Sequence, residues 1–224
     1  MRGSIKQALA IARKDLQAEL RTRYALNATG MFVVVVVAVI AMAIGPEQLS
    51  SAVVAGLLWI ALFFAGVTGL GRSITGEQER GTMLLLRLSV SSTPVYFGKL
   101  LFNLVLAIVF NSLIVVLFLI MVPDAWKGGI GQILVITLIL SLGLASALTI
   151  ISGIIARAAV RGALTPVLAF PILLPLIFLG VEMFRTGAEG KSLAVMPDIL
   201  ALAVAYTVVV IALSYVLFDL LWKE

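Results

Sequence analysis

Six apolar runs, each long enough to cross a bilayer, dominate the chain: residues 27–44, 52–70, 98–122, 130–156, 164–183 and 199–221. A helix needs about 20 mainly apolar residues to span the hydrocarbon layer. Turn signals fall between the runs at Gly45-Pro46, Pro123-Asp124, Gly128-Gly129 and Met196-Pro197. Ahead of the first run, Ile5, Leu9, Ala12, Leu16, Leu20 and Tyr24 recur at helical spacing, while Lys6, Arg13, Lys14, Gln17 and Arg21 take other faces. That spacing predicts a basic amphipathic helix over residues 4–24, lying in the membrane interface with its cations near anionic headgroups. Such a helix could act as an anchor that fixes topology, or as an elbow that also packs against a cytoplasmic partner. The predicted fold class is all-α: a polytopic membrane protein of six transmembrane helices plus this interfacial helix, forming a single transmembrane domain over residues 1–224.

Lys and Arg orient the spans. Arg2, Lys6, Arg13, Lys14, Arg21 and Arg23 precede the first run, and Arg72, Arg80, Arg87 and Lys99 surround the second connection. Arg157 and Arg161 lie in the fourth connection, and Lys223 follows the last run, so all of these fall on one side. The other side has only Lys127, Arg185 and Lys191. By the positive-inside rule both termini face the cytoplasm. The run 31–43 ends in Ala41-Met42-Ala43, which resembles a cleavage site, but about 30 residues precede it, too many for a signal-peptide n-region, so a retained first span is expected.

Composition agrees with lipid as solvent: 62% of the 224 residues are hydrophobic and 12% charged, against about a quarter charged in soluble domains. The net charge of +5 belongs to the short segments between spans, so no nucleic acid is expected as partner. The chain contains no Cys and no His. That removes thiolate chemistry, the usual general base and the commonest metal and haem ligand, and no catalytic or metal constellation is expected.

The cytoplasmic loop, residues 72–98, is the most informative stretch. Thr75 and Gln78 have capping-box spacing, which would open a short helix at Gly76. Glu77 and Arg80 could pair on it, and Gly81 would end it. Leucines follow in residues 83–86 and at Leu88, and Thr93-Pro94 makes a suitable start for the next helix. A short charged helix followed by leucines needs a cover, from either headgroups or a soluble partner.

Elsewhere, residues 66–73 have the spacing of a phosphate-binding loop, with Arg72 in place of its lysine, but they close an apolar span rather than follow a strand. Gly66, Gly69 and Gly71 are expected to serve helix packing, and Asn103 and Asn111 to hydrogen-bond between helices rather than line a path. Pro171 and Pro175 could kink the fifth span, which closes near Glu182; an acid facing the bundle interior there would be a functional candidate.

Residues 69–103 resemble the permeases of the ABC-2 exporter class, and more closely the haem exporter protein B family (CcmB) of cytochrome c maturation. The resemblance is carried by Arg72, Glu77, Glu79 and Gly81 after the second span, and by Gly98-Lys99-Leu100-Leu101 with Asn103 at the third. Residues 14–21, 57–70 and 171–178 add to it, while the apolar stretch 83–86 departs from relatives that often carry a Gly or an acid there. The resemblance implies a bacterial or archaeal cytoplasmic (inner) membrane and a division of labour. A separate CcmA-like ATPase would bind and hydrolyse ATP, docking on a coupling loop that includes Arg72, Glu77, Gln78, Glu79, Arg80 and Gly81. CcmC-, CcmD- and CcmE-like proteins would handle haem, which would be cargo of the complex, with no cofactor held by this chain. A general ABC-2 exporter of a drug, lipid or polysaccharide shares the same topology and loop, and a membrane scaffold that only recruits a partner is the remaining alternative.

Overall fold

A computed structural model of the protein describes residues 2–44, 50–156 and 164–223. The Gly45-Pro46 turn, Arg157 and Arg161 lie outside these residues. The described residues form α1 (Arg2–Thr22), α2 (Tyr24–Ile44), α3 (Ser51–Leu70), α4 (Thr75–Glu79), α5 (Met83–Ser89), α6 (Ser92–Met121), α7 (Ile130–Ile155), α8 (Leu164–Ala188) and α9 (Pro197–Lys223), with short 3₁₀ turns at Pro123–Ala125 and Leu193–Val195. Six of these helices are long and apolar enough to cross a membrane.

Their ends differ from the hydropathy runs for local reasons. The amphipathic helix stops at Thr22, because Arg23 takes a left-handed conformation with φ 54° and breaks the chain between α1 and α2. Glu19 then turns back and accepts the Leu26 N–H at 3.0 Å, satisfying an open donor at the start of α2. The third span starts at Ser92, not Gly98, with Pro94 in a first turn where its missing N–H costs nothing. The fifth runs on to Ala188, so it does not end at Glu182.

The central helix is α7. Of its most apolar window 72% is buried, against 22% for α9. The sequence explains this: Gly143, Ala145, Ser146, Ala147, Thr149 and Gly153 make α7 rich in small buried residues, and small residues let helices approach closely in lipid. A Cβ on Gly143 would stand 2.5 Å from Leu176 of α8. The glycines at the end of α3 do the same work: Gly66 lies against Leu148, and Gly69 against Phe110 and Thr29. Outward-facing Val35, Val39, Phe178 and Val208 form part of an apolar outer surface suited to lipid.

Polar side chains inside this bundle join helices. Asn111 of α6 donates to Ser141 of α7 at 2.9 Å, and Ser141 passes its own proton to the Thr137 carbonyl. Because Ser141 keeps a partner without Asn111, Asn111→Leu is expected to cost only about 0.6–1.7 kcal/mol, read as a small shift of the unfolding midpoint in mixed detergent micelles.

The two ends of the bundle differ as the charge count requires. At one end α4 and α5 meet α1, the start of α6 and the end of α9, where Ser92 donates to Asp219 and Arg87 reaches the Leu221 carbonyl at 3.4 Å. At the other, Gln132 donates to the Lys191 carbonyl at 2.8 Å, and Arg185 pairs with Glu182. Both termini therefore approach the same, basic end.

Candidate functional site

The hairpin α4–α5 is held by atoms from outside itself. Its first backbone donors, Ile74 N–H and Thr75 N–H, point at Ser152 Oγ of α7, at 2.8 and 3.4 Å. The capping box expected of Thr75 and Gln78 does not form: α4 starts at Thr75, Ile74 is its cap residue, and no local side chain bonds there. The start of α4 is buried, so the bundle supplies the oxygen that the loop's own side chain would have given. The end is local and regular. Thr82 N–H bonds the Glu77 carbonyl at 3.0 Å and Gly81 N–H the Gln78 carbonyl at 3.2 Å. This is a Schellman closure, and it needs Gly81 at φ 69°, where a side chain is strained.

Glu77 turns inward, which corrects two expectations. It does not pair with Arg80 on its own helix, and it is not presented to the surface, being 5% exposed. Its Oε1 receives Lys14 Nζ of α1 at 2.6 Å and Lys99 Nζ of α6 at 2.8 Å. The other oxygen accepts from the Thr82 hydroxyl. Lys99, 2% exposed, also lies 2.8 Å from Asp15 Oδ2 of α1, an ion contact outside hydrogen-bonding geometry, and Lys14 lies 3.2 Å from Asp15 Oδ1. Two cations and two anions thus meet where α1, α4 and α6 converge, with Asp15, Glu77 and Lys99 buried and Lys14 half-exposed. Burial pushes the Lys14 ammonium down; its bond to Glu77 and the charges of Asp15 and Glu77 more than reverse this, leaving it raised.

Close packing brings these groups together. Gly98 precedes Lys99 and touches α1, so a Cβ there would be 2.8 Å from the Ala8 carbonyl oxygen and from Ile11 Cβ. The face of α1 that docks is Ile11, Ala12 and Asp15, while Ile5, Leu9 and Leu20 stay on the outer surface. Farther along α6, Asn103 is fully buried and donates to Ser73 at 3.0 Å and Thr149 at 2.8 Å. The expectation that Asn103 and Asn111 bond between helices therefore holds.

The rest of the hairpin faces outward. Gln78, Glu79, Arg80 and Gly81 are exposed. Glu79 pairs with Arg72 at 2.7 Å, and the Arg72 guanidinium stands over the Tyr24 ring. In α5, Met83 and Leu86 pack toward the core, whereas Leu84, Leu85 and Leu88 are 68%, 67% and 79% exposed. Arg87 stacks on Trp222, and beside it a groove of about 500 Å³ runs between the hairpin and the ends of α7 and α9.

The fifth span does not contribute to this site. Pro171 and Pro175 lie within α8 on its exposed side, and Tyr206 donates to the Ile172 carbonyl between them at 2.6 Å. Glu182 is at the opposite end of the bundle, partly exposed and 3.2 Å from Arg185.

Sequence reasoning missed Lys14 and Lys99 as partners of Glu77, and Asp15 as the second acid that the same lysines meet. The signals were an acid in an otherwise basic stretch of α1 and a lysine set among apolar residues of α6. An ionisable residue near a span merits a search for its partner.

Six helices able to span a membrane, a charged hairpin bound to the basic end and an amphipathic helix packed against it define a polytopic membrane protein. Residues 6–217 match the CcmB family, described as CcmB protein, and the chain belongs to that family. No curated protein matches it. Membership makes the chain a multi-pass membrane component of the haem-export and cytochrome c maturation system, which has further components.

Proposed function

We propose that this chain is the permease-like subunit of an ABC complex in the cytoplasmic (inner) membrane, coupling ATP hydrolysis by a separate CcmA-like ATPase to haem export or to release of a haem-loaded chaperone. The observation that carries this reading is the outward face of α4–α5, where Gln78, Glu79 and Arg80 adjoin Leu84, Leu85 and Leu88 at the basic end. Mixed charge around exposed leucines suits a protein surface better than lipid alone. ATP stays on the partner. Haem, as cargo, is held by CcmC-, CcmD- and CcmE-like proteins, because this chain offers no imidazole or thiolate. Arg72 and Gly81 shape the surface, Arg72 by pairing with Glu79 and Gly81 by closing α4.

The test is co-purification in mild detergent. The wild-type chain is expected to bring down an ATPase together with haem-handling proteins. Glu79→Ala/Arg80→Ala combined with Leu85→Ser is expected to lower ATPase recovery at least tenfold while leaving the chain folded, since none of these side chains is buried. Undiminished recovery refutes docking at this face, and an ATPase recovered without haem-handling proteins favours a general exporter.

A further inference from the structure

The hairpin α4–α5 is joined to its spans by short connections, residues 71–74 before it and Val90 and Ser91 after it. A push on such a hairpin moves the spans only if something ties it to them. Three ties exist. Ser152 accepts from two backbone donors of the α4 start, and Arg87 reaches the Leu221 carbonyl at 3.4 Å. The third, at Glu77, is made of charged groups at 2.6 and 2.8 Å, with Glu77 and Lys99 shielded from water and Lys14 half-exposed. Charge-assisted bonds are roughly twice as strong as neutral ones. This tie reaches α1 as well as α6, through Lys14 and Asp15 on one side and Lys99 on the other. Its charges sum to zero, so all four groups are held together: loss of one strands a net charge. Next along α6 comes Asn103, bonded to Thr149 of α7, so displacement of α6 is carried on to the central helix.

We propose that Lys99 and Asp15 are positioning residues of the coupling step: with Glu77 and Lys14 they make α1, α4 and the first turns of α6 move as one body when an ATPase, as proposed above, presses on the α4–α5 face. The interfacial helix is then a moving part of the coupling element and not only an anchor.

Because the chain lacks cysteine, paired spin labels can be placed without background. Labels at Gln17→Cys on α1 and Gly76→Cys on α4, where an added Cβ meets nothing within 4 Å and which is not among the proposed docking residues, report the distance between the two helices in the purified chain. In the wild-type background a narrow distribution is expected, unchanged when the ATPase-bound complex receives ATP. Glu77→Gln/Lys99→Met removes one charge of each sign and leaves Lys14 and Asp15 paired, so it folds better than either single variant. In it the distribution is expected to broaden, and stimulation of ATP hydrolysis in an otherwise unlabelled complex to fall about tenfold while the ATPase remains bound. Should that variant not fold, Lys14→Gln/Asp15→Asn, which also removes matched charges but releases only α1, carries the same test. A folded, ATPase-bound variant that stimulates like wild type overturns the proposal. So does a wild-type label distance that changes with ATP. Failure of the ATPase to bind the wild-type chain overturns the docking reading instead, and the coupling role with it.

Discussion

Lys99→Met is expected to destabilise the chain by about 3–5 kcal/mol, the range observed when one partner of a buried ion pair is removed. The size follows from where the charge sits. Lys99 is 2% exposed and contacts both Glu77 and Asp15, so methionine leaves two carboxylates with only the half-exposed Lys14 between them. Neither acid can turn to bulk water without unpacking α1 or α4, since both are more than nine-tenths buried. Glu77→Gln is expected to cost less, because the amide oxygen can still accept from the two lysines, its NH2 can turn to the Thr82 hydroxyl oxygen, and the cations keep Asp15. Unfolding midpoints in mixed micelles should rank wild type above Glu77→Gln, and Glu77→Gln above Lys99→Met. A Lys99→Met midpoint equal to that of wild type would mean that the charges are solvated and the buried cluster does not exist in the membrane-extracted protein.

This ranking also changes how the acids of the loop are to be probed. Glu77 and Glu79 look equivalent in sequence, two positions apart in a polar stretch. On a helix they point to different sides, and only Glu79 reaches the surface. A Glu77→Ala variant would lose ATPase binding through collapse of the hairpin as readily as through loss of a contact. Glu79 and Arg80 are the positions where a binding defect reports on binding.

The spans were legible in the sequence because lipid imposes a length and a polarity on each of them. Their ends were not, because a hydropathy run stops at the first polar residues while the helix continues through them, as at Ser92–Tyr96 and beyond Met183. The interfacial helix was legible as amphipathic, but its apolar stripe divides: Ala12 and Leu16 pack on the bundle, whereas Ile5, Leu9, Leu20 and Tyr24 stay on the outer surface. A helix lying between lipid and a bundle has two partners, and one apolar stripe does not tell which of its residues serve which. The docking face of Ile11, Ala12 and Asp15 shows up only when Gly98 and Lys99 are known to lie opposite. The same holds for Ser152, whose task of capping α4 depends on a contact across the fold that local capping patterns cannot register. Lys99 was read as one more cytoplasmic charge that orients the third span. It does carry such a charge, but below the surface it also binds three helices together.

Gly98→Ala is expected to separate α1 from α6, at a cost of about 1–3 kcal/mol for the strain of overpacking. The added methyl would stand 2.8 Å from the Ala8 carbonyl oxygen and 2.8 Å from Ile11 Cβ. One of these is backbone and the other is fixed to it, so no rotamer change relieves the clash, and α1 itself must shift. A shift there pulls Asp15 and Lys14 away from Lys99 and Glu77, so a substitution that touches no charge should weaken the ion cluster. Gly76→Ala is the fitting control: it lies on α4 beside Glu77, and a Cβ there meets nothing within 4 Å. Protease cleavage within α1 of the reconstituted protein measures the difference. Gly98→Ala is expected to raise the cleavage rate severalfold over wild type and Gly76→Ala to leave it unchanged. Equal rates for all three would show that α1 is not held by its contact at Gly98. The tie between the interfacial helix and the coupling hairpin would then rest on the charges alone.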